Sequence, residues 1–114
     1  MNRTLELKVK GMTYVIEFPT VGKFQLIESN KQIISKGMYS SLLSTATVAS
    51  YEALDMIDTE AYLSVLAPKL IEALKCKNFS DLDIEDYLEL KKAYKTQFLP
   101  WWNDIMKLFV PEQK

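Results

Sequence analysis

Carboxylates are the only acid–base groups that the sequence clusters. Asp55 lies three residues before Asp58, and Asp81 is followed closely by Asp83 and Asp86. Grouped carboxylates can share a proton or hold a metal ion. Their spacing lacks the glycine at the bend and the closing acid of a calcium loop. Acids that precede a helix also cap it and complement its dipole, so we predict structural roles for both groups.

The chain lacks the other side chains that most catalytic and metal sites need. Histidine is absent from all 114 residues, which removes the most frequent general base near neutral pH and the commonest nitrogen ligand of zinc. Cys76 is the only cysteine. It has no second thiol for a disulfide and no base to complete a nucleophile, and it fits a reducing compartment. We therefore predict no catalytic residue, no metal site, no cofactor and no enzymatic activity.

A local group of lysines, Lys91, Lys92 and Lys95, could bind RNA or phosphate. Glu85 and Glu89 lie within one or two helical turns and could pair with these lysines. The formal net charge is −1, and there is a single arginine. A solvated helix face is therefore the favoured interpretation, and we predict no binding of nucleic acid.

The elements that would position these residues begin with a change of periodicity near Pro19. Before it, apolar and polar residues alternate over 4–10 and 13–18, with Gly11 between the two runs. This pattern predicts a β-hairpin, which must cover its apolar face because an isolated hairpin is marginal in water. Thr20 is a candidate N-cap for a first helix that extends to Lys36, with Gly37 as its C-terminal stop.

The next stretch, 38–50, is rich in serine and threonine. Because their hydroxyls compete for backbone hydrogen bonds, we predict a loop or a frayed turn there. A helix is predicted afterwards, with Asp58 or Thr59 as its cap, and with a kink or restart at Pro68.

A long helix is predicted over 84–98, with Ser80 or Asp83 as its cap and a half-circumference apolar face. That face is formed by Ile84, Tyr87, Leu88, Leu90, Tyr94 and Phe98. Pro100 should interrupt this helix, and a short terminal helix should follow from Trp101 to Phe109.

Together these elements predict an α+β, mostly α fold in which an N-terminal β-hairpin packs on a bundle of four to five helices. The expected organisation is one domain, 1–114, with the hairpin in 1–18 and the helical body in 20–110. The N-terminus lacks the continuous apolar stretch of a signal peptide, and no apolar run approaches the roughly 20 residues that cross a bilayer. We predict a cytoplasmic protein without membrane contact.

The most unusual feature is the C-terminal aromatic segment, which we define as Phe98, Trp101, Trp102, Ile105 and Phe109. Adjacent tryptophans on a helix diverge by about 100°, so the two rings cannot both face one side of a core. Either one ring is exposed and contacts a partner, or the bend at Pro100 folds both rings onto the body. Because tryptophan is enriched at protein–protein hot spots, we predict that this segment binds a protein partner.

The order of these features resembles the tail assembly chaperones of long-tailed bacteriophages. The resemblance is carried by the hairpin from Val9 to Phe18, the turn Pro19-Thr20-Val21-Gly22, and the helix that contains Ile27 and Glu28. A helical body and a Pro-Trp segment near the C-terminus complete the layout.

This resemblance implies a non-enzymatic protein in the host cytoplasm. It would bind the tape-measure protein, keep the apolar helices of that protein soluble, and help to recruit tail-tube proteins. Self-association into a homo-oligomer is a further possibility. A structural virion component or a small adaptor is the alternative in the same class, and a minimal enzyme or a nucleic-acid-binding protein is the alternative from another class.

Overall fold

In the computed structural model, which describes residues 2–75 and 79–110, two antiparallel strands precede a mainly helical chain. Strands β1 (Thr4–Val9) and β2 (Met12–Glu17) form the hairpin, and 71% of the structure is helical. The predicted α+β, mostly α class is therefore confirmed.

The hairpin has the predicted position and a turn that suits its twist. Thr4 pairs with Glu17 and Val9 with Met12, so Lys10 and Gly11 form a two-residue turn. Both have positive φ, at 50° and 78°, as a type I′ turn requires.

The helices cover one face of this hairpin. Leu7 and Ile16 on that face are fully buried. The side-chain amide of Gln97, in the C-terminal part of the helical body, accepts from the backbone N–H of Lys8 and donates to its carbonyl, at 2.8 and 2.9 Å. Gln97 thereby pairs with Lys8 on the outer edge of β1.

Helix α1 (Val21–Ile34) begins and ends close to the prediction. Thr20 caps it, because its side-chain oxygen accepts from the backbone N–H of Lys23 at 3.2 Å. Gly37 follows the helix with a φ of 78°. Ile27 is fully buried, whereas Ile33 is exposed.

The segment 38–50 is not the loop that its hydroxyl content predicted. Helix α2 (Tyr39–Thr45) occupies its first half, and helix α3 (Val48–Leu66) begins within its second half. The hydroxyls of Ser44 and Thr45 donate to carbonyls four residues back, at 2.8 Å each. Such bonds leave the backbone ladder intact, so these residues are compatible with a helix.

The predicted start of the second helix at Asp58 or Thr59 is also wrong, because both residues lie inside α3. The hydroxyl of Thr59 donates to the backbone carbonyl of Asp55 at 2.6 Å, and the carboxylate of Asp58 accepts from the hydroxyl of Tyr39. The cap is instead Thr47, which exchanges two hydrogen bonds with Ser50.

Helix α4 (Pro68–Ala73) begins at Pro68, so the predicted restart of the helix at this proline is confirmed. A short 3₁₀ turn (Phe79–Asp81) then precedes helix α5 (Ile84–Ala93). Asp83 caps α5 by accepting from the backbone N–H of Glu85 at 2.7 Å. The predicted apolar face of α5 is only partly covered, since Ile84 and Leu88 are exposed.

The predicted interruption at Pro100 is absent. A π-helical turn (Tyr94–Phe98) joins α5 directly to helix α6 (Leu99–Met106), which a 3₁₀ turn (Lys107–Phe109) follows. The N–H of Leu99 bonds to the carbonyl of Tyr94, five residues back. The wider turn places Pro100 in the first turn of α6, where a proline is tolerated because its N–H is not needed. In the described residues, α5 and α6 thus form one continuous helical rod. Together with α1 to α4, this rod gives five helices.

Candidate functional site

The structure places four residues of the C-terminal aromatic segment in the core. Trp101 and Trp102 are 7% and 3% exposed, and Phe98 and Ile105 are also buried. Only Phe109, at 64%, is largely exposed. Of the two alternatives for the tryptophans, the structure shows the one in which both rings fold onto the body. Binding of a partner by this segment stays a prediction.

The two adjacent rings are buried because they meet different partners. Trp102 stacks on Phe98 with a centroid distance of 5.7 Å and meets Tyr62 edge-on at 5.0 Å. Trp101 points towards the N-terminus, where its indole N–H donates to the carbonyl of Asn2 at 2.8 Å. The N-terminal segment and the helical body therefore cover different sides of α6.

Two residues of the predicted lysine group, Lys91 and Lys95, pair with acids of α3. Lys95 contacts Asp55 at 2.9 Å, and Lys91 contacts Glu52 at 2.7 Å. Lys91 also lies 3.9 Å from Asp55. The partners are acids of α3 rather than the acids of α5 that the sequence suggested, because the lysines face the neighbouring helix.

Asp81, Asp83 and Asp86 do not converge on one point in the structure. Asp83 caps α5, and Asp86 pairs with Lys10 of the hairpin turn at 2.7 Å. Across residues 2–75 and 79–110, no three acidic or thiol side chains come together as metal ligands. Cys76 lies outside the described residues.

A polar cleft lined by α1, α2, α3, the π-helical turn and α6 collects the most titratable groups. Tyr39 donates to Asp58 at 2.7 Å. Lys31 contacts Glu28 at 2.8 Å and donates to the Tyr62 hydroxyl at 3.0 Å. The cleft has a volume of about 390 Å³.

Burial and hydrogen bonding shift the pKa values in this polar cleft. Burial raises the pKa of Asp58 above its ordinary value, although the Tyr39 hydrogen bond and the Lys31 charge oppose the shift. Burial also raises the pKa of Tyr39. For Lys31, burial lowers the pKa, but the bonds to Glu28 and Tyr62 outweigh it and the net pKa is raised. The Lys31–Tyr62 hydrogen bond ties α1 to α3, and the Tyr39–Asp58 hydrogen bond ties α2 to α3.

A second concave surface is mainly apolar and open to solvent. The α3–α5 groove has a volume of about 250 Å³ and lies between α3, the 3₁₀ turn after α4 and the start of α5. It is lined by Ile34, Met56, Ile57, Glu60, Phe79, Ser80, Leu82, Ile84 and Tyr87. Ile84 is 61% exposed at its rim and Met56 is 37% exposed.

Glu60 and Tyr87 are the two titratable residues among the apolar walls of this groove. Glu60 is half-buried, and burial alone raises the pKa of its carboxyl. Within residues 2–75 and 79–110, the buried hydroxyl of Tyr87 has no hydrogen bond of good geometry, although a weak interaction with Thr59 lowers its pKa. Burial, helped by the Asp55 charge, raises the pKa of Tyr87 to about 12. The phenol is therefore neutral at physiological pH and can donate or accept a hydrogen bond.

Sequence reasoning missed this groove, because its walls come from three separate segments. Ile84 was assigned to a buried helix face, and Met56 was not singled out. The available signal was the position of Ile84 directly after the cap residue Asp83, where a side chain lies at the end of a helix and is easily left uncovered.

Comparison with known proteins gives no relative. No protein family, no curated protein and no solved structure matches the chain. Within the described part of the chain, no helix is both long enough and apolar enough to cross a membrane.

Proposed function

We propose that this protein is a non-enzymatic tail assembly chaperone of a long-tailed bacteriophage, acting in the host cytoplasm. It binds apolar helices of the tape-measure protein and assists tail-tube assembly. The observation that supports this proposal is the α3–α5 groove, an open and mainly apolar surface, whereas the side chains of Lys91, Lys95 and Asp58 already pair with other residues.

The mainly apolar lining of the groove suits the apolar face of a helix better than a small polar substrate. An amphipathic helix binds by laying its apolar face into a groove between elements of its partner. Ile84 on the rim and Met56 on the wall supply apolar area that is exposed in the free protein. The unbranched, flexible Met56 side chain can adapt to different sequences, which a chaperone for a long and varied helical protein requires.

The groups with acid–base potential support catalysis less well than the groove supports a chaperone function. Lys95 and Lys91 are paired with Asp55 and Glu52, and Asp58 accepts from Tyr39. A catalytic acid or base needs access to a substrate proton, and these groups already bind each other.

The gene neighbourhood and a pull-down test the proposal. We expect a gene for a very long helical protein close downstream, and we expect that protein to co-purify with the tagged chain from infected or lysogenic cells. Finished virions should lack the chain, since a chaperone leaves after assembly. Recovery of the chain in purified virions would indicate the alternative, a structural component, and would contradict the proposal.

A further inference from the structure

The outer edge of β2 presents backbone hydrogen-bonding groups to solvent. On β1, Lys8 directs both its N–H and its carbonyl away from β2, to the side-chain amide of Gln97. Two residues that lie opposite each other in an antiparallel pair either bond to each other or both point outward. Thr13 lies opposite Lys8, so its backbone groups point away from β1. Those of Val15 and Glu17 do the same, because the direction alternates along a strand.

This edge is unpaired and accessible in the free chain. Within residues 2–75 and 79–110, the outward N–H and carbonyl groups of Thr13, Val15 and Glu17 form no hydrogen bond. The side chain of Val15 is 62% exposed. A concave space of about 360 Å³ lies beside Thr13, Tyr14 and Val15, bounded elsewhere by the junction of α3 and α4. A further strand can therefore reach these groups.

Strand β2 lacks the features that usually prevent edge-to-edge pairing. Proteins protect a free edge with lysine or proline in the strand, with a β-bulge, or with a covering element. The sequence Met12–Glu17 contains neither lysine nor proline, and its register with β1 is continuous, without a bulge. The β1 edge differs, because Gln97 occupies its centre.

We propose that β2 pairs with β2 of a second copy of this chain, antiparallel about a two-fold axis at Val15, so that the two hairpins form one four-stranded sheet. In this register Val15 lies opposite Val15 of the second copy, and Thr13 lies opposite its Glu17. Each opposed pair exchanges two hydrogen bonds. All outward groups of the three residues are then satisfied in both copies. This inference is independent of the proposed function, since a chaperone can act as a monomer or as a dimer.

Charge and backbone donors favour this register over its two neighbours. An axis at Glu17 would place like charges directly opposite each other, which is unfavourable. It would also set Val15 against Pro19, which has no N–H to donate. An axis at Thr13 would set Val15 against Gly11, which lies in the turn rather than in the strand. The axis at Val15 avoids both conflicts and places an apolar pair at the centre.

A second copy matches both faces of this edge. On the solvent face, Lys8 of one copy and Glu17 of the other flank the small Thr13 in the same row, so opposite charges face each other across it. On the face towards the helices, the half-buried Tyr14 lies beside Ile16 of the second copy. The apolar layer under the sheet therefore continues across the axis. An unrelated extended segment would supply these matches only by coincidence.

Disulfide cross-linking tests the register. In a Cys76→Ser background, Val15→Cys brings two thiols together at the axis, where opposed Cα atoms lie about 5.5 Å apart, within the range of a disulfide. Thr13→Cys is the matched control, because its two thiols would be offset by about 13 Å along the strands. We expect mild oxidation to cross-link Val15→Cys and to leave Thr13→Cys monomeric.

Sedimentation equilibrium of the full chain tests the association itself. We expect a monomer–dimer equilibrium that shifts towards the dimer as concentration rises. Val15→Lys places like charges opposite each other at the axis, so it should weaken dimerisation by about tenfold or more. Val15→Thr is its control, because threonine keeps the strand propensity and adds no charge. Circular dichroism should show that both variants are folded, since this side chain faces solvent in the monomer.

The outcomes separate this inference from the proposed function. A chain that stays monomeric at every concentration, a dimer that Val15→Lys leaves unchanged, or equal cross-linking of Val15→Cys and Thr13→Cys would overturn the pairing of β2 with β2. Co-purification with the tape-measure protein tests the chaperone role separately. A strictly monomeric chain that co-purifies with that protein would contradict the dimer alone, and a dimer that does not co-purify would contradict the chaperone role alone.

Discussion

The indole N–H of Trp101 donates to the backbone carbonyl of Asn2 at 2.8 Å. This bond joins the last α-helix to Asn2, two residues before the start of β1. Next to it, Arg3 lies 4.0 Å above the ring of Phe18, so the start of the chain is held by contacts with two aromatic residues. The C-terminal aromatic segment therefore stabilises the fold in addition to any role in binding.

Substitution of the two tryptophans should destabilise the protein in both cases. We expect Trp102→Ala to lower the free energy of unfolding by about 3–5 kcal/mol, because it opens a cavity beside Phe98 and Tyr62. Trp101→Phe should cost about 2 kcal/mol, because it removes the bond to Asn2 and part of the ring. Urea unfolding measures both values.

Phe109→Ala is the matched control for the tryptophans. Its ring is mostly exposed and contacts Phe24 at a centroid distance of 5.3 Å, so we expect a loss of about 1 kcal/mol or less. If Trp101→Phe left stability unchanged and weakened association with a partner, the burial of this ring would be contradicted.

Thr47 and Ser50 form a capping box at the start of α3. Its contribution to the free energy of unfolding should also be measurable by urea unfolding. Thr47→Ala removes the side-chain oxygen that accepts from Ser50 at 3.1 Å, and we expect a loss of about 1 kcal/mol. Thr45→Ala is its control, since that hydroxyl only bonds a carbonyl of its own helix. Equal effects of the two substitutions would show that the cap does not hold α3.

The partly buried carboxyl of Asp58 should make the free energy of unfolding increase as pH falls, which is the opposite of the usual behaviour of a carboxylate. Its pKa in the folded state is raised above the ordinary value of 3.8, mainly by burial. Between these two pKa values the folded state binds more protons than the unfolded state, so this group contributes stability as pH falls and loses it as pH rises.

Comparison with Asp58→Asn isolates that contribution. We expect the stability of the wild type, relative to this variant, to increase as pH falls from neutral towards 3.8. Chemical denaturation over that pH range measures the difference. A relative loss of wild-type stability on acidification would mean that the Tyr39 and Lys31 contacts dominate over burial.

The sequence was a good guide where local signals determine structure. Alternation on both sides of Gly11 predicted the hairpin, and Thr20 and Asp83 predicted two caps. It failed where a tertiary contact decides between local alternatives. Asp58 is a good cap residue, but it accepts from Tyr39 of a neighbouring helix. Proline usually breaks a helix, but the π-turn before Pro100 places it in the first turn of α6, where its missing N–H is tolerated.

The candidate site could not be predicted from the sequence for the same reason. Ile84 has the periodicity of a buried residue, and only the packing of α5 against α3 shows that it is left at the rim of a groove. Glu60 resembles any other surface glutamate in the sequence. Its half-burial becomes visible only when its neighbours are placed around it.

Ile84 and Leu88 allow the groove to be tested with a matched pair of variants. Both are exposed apolar residues of α5, but only Ile84 lines the groove. We expect Ile84→Gln to weaken binding of an amphipathic helix by about tenfold, whereas Leu88→Gln should leave binding unchanged. Stability should change little in either variant, and thermal melting checks this. A loss of binding with Leu88→Gln alone would place the interface on another surface.

Co-expression with the tape-measure protein encoded in the same genome tests the central claim most directly. The measurement is the fraction of the tape-measure protein that stays in the supernatant after lysis and centrifugation, with the wild-type chain, with Ile84→Gln and with Leu88→Gln. We predict that the wild type and Leu88→Gln keep most of the tape-measure protein in solution, and that Ile84→Gln does not. If the tape-measure protein aggregates equally with the wild-type chain and without it, this protein is not its chaperone.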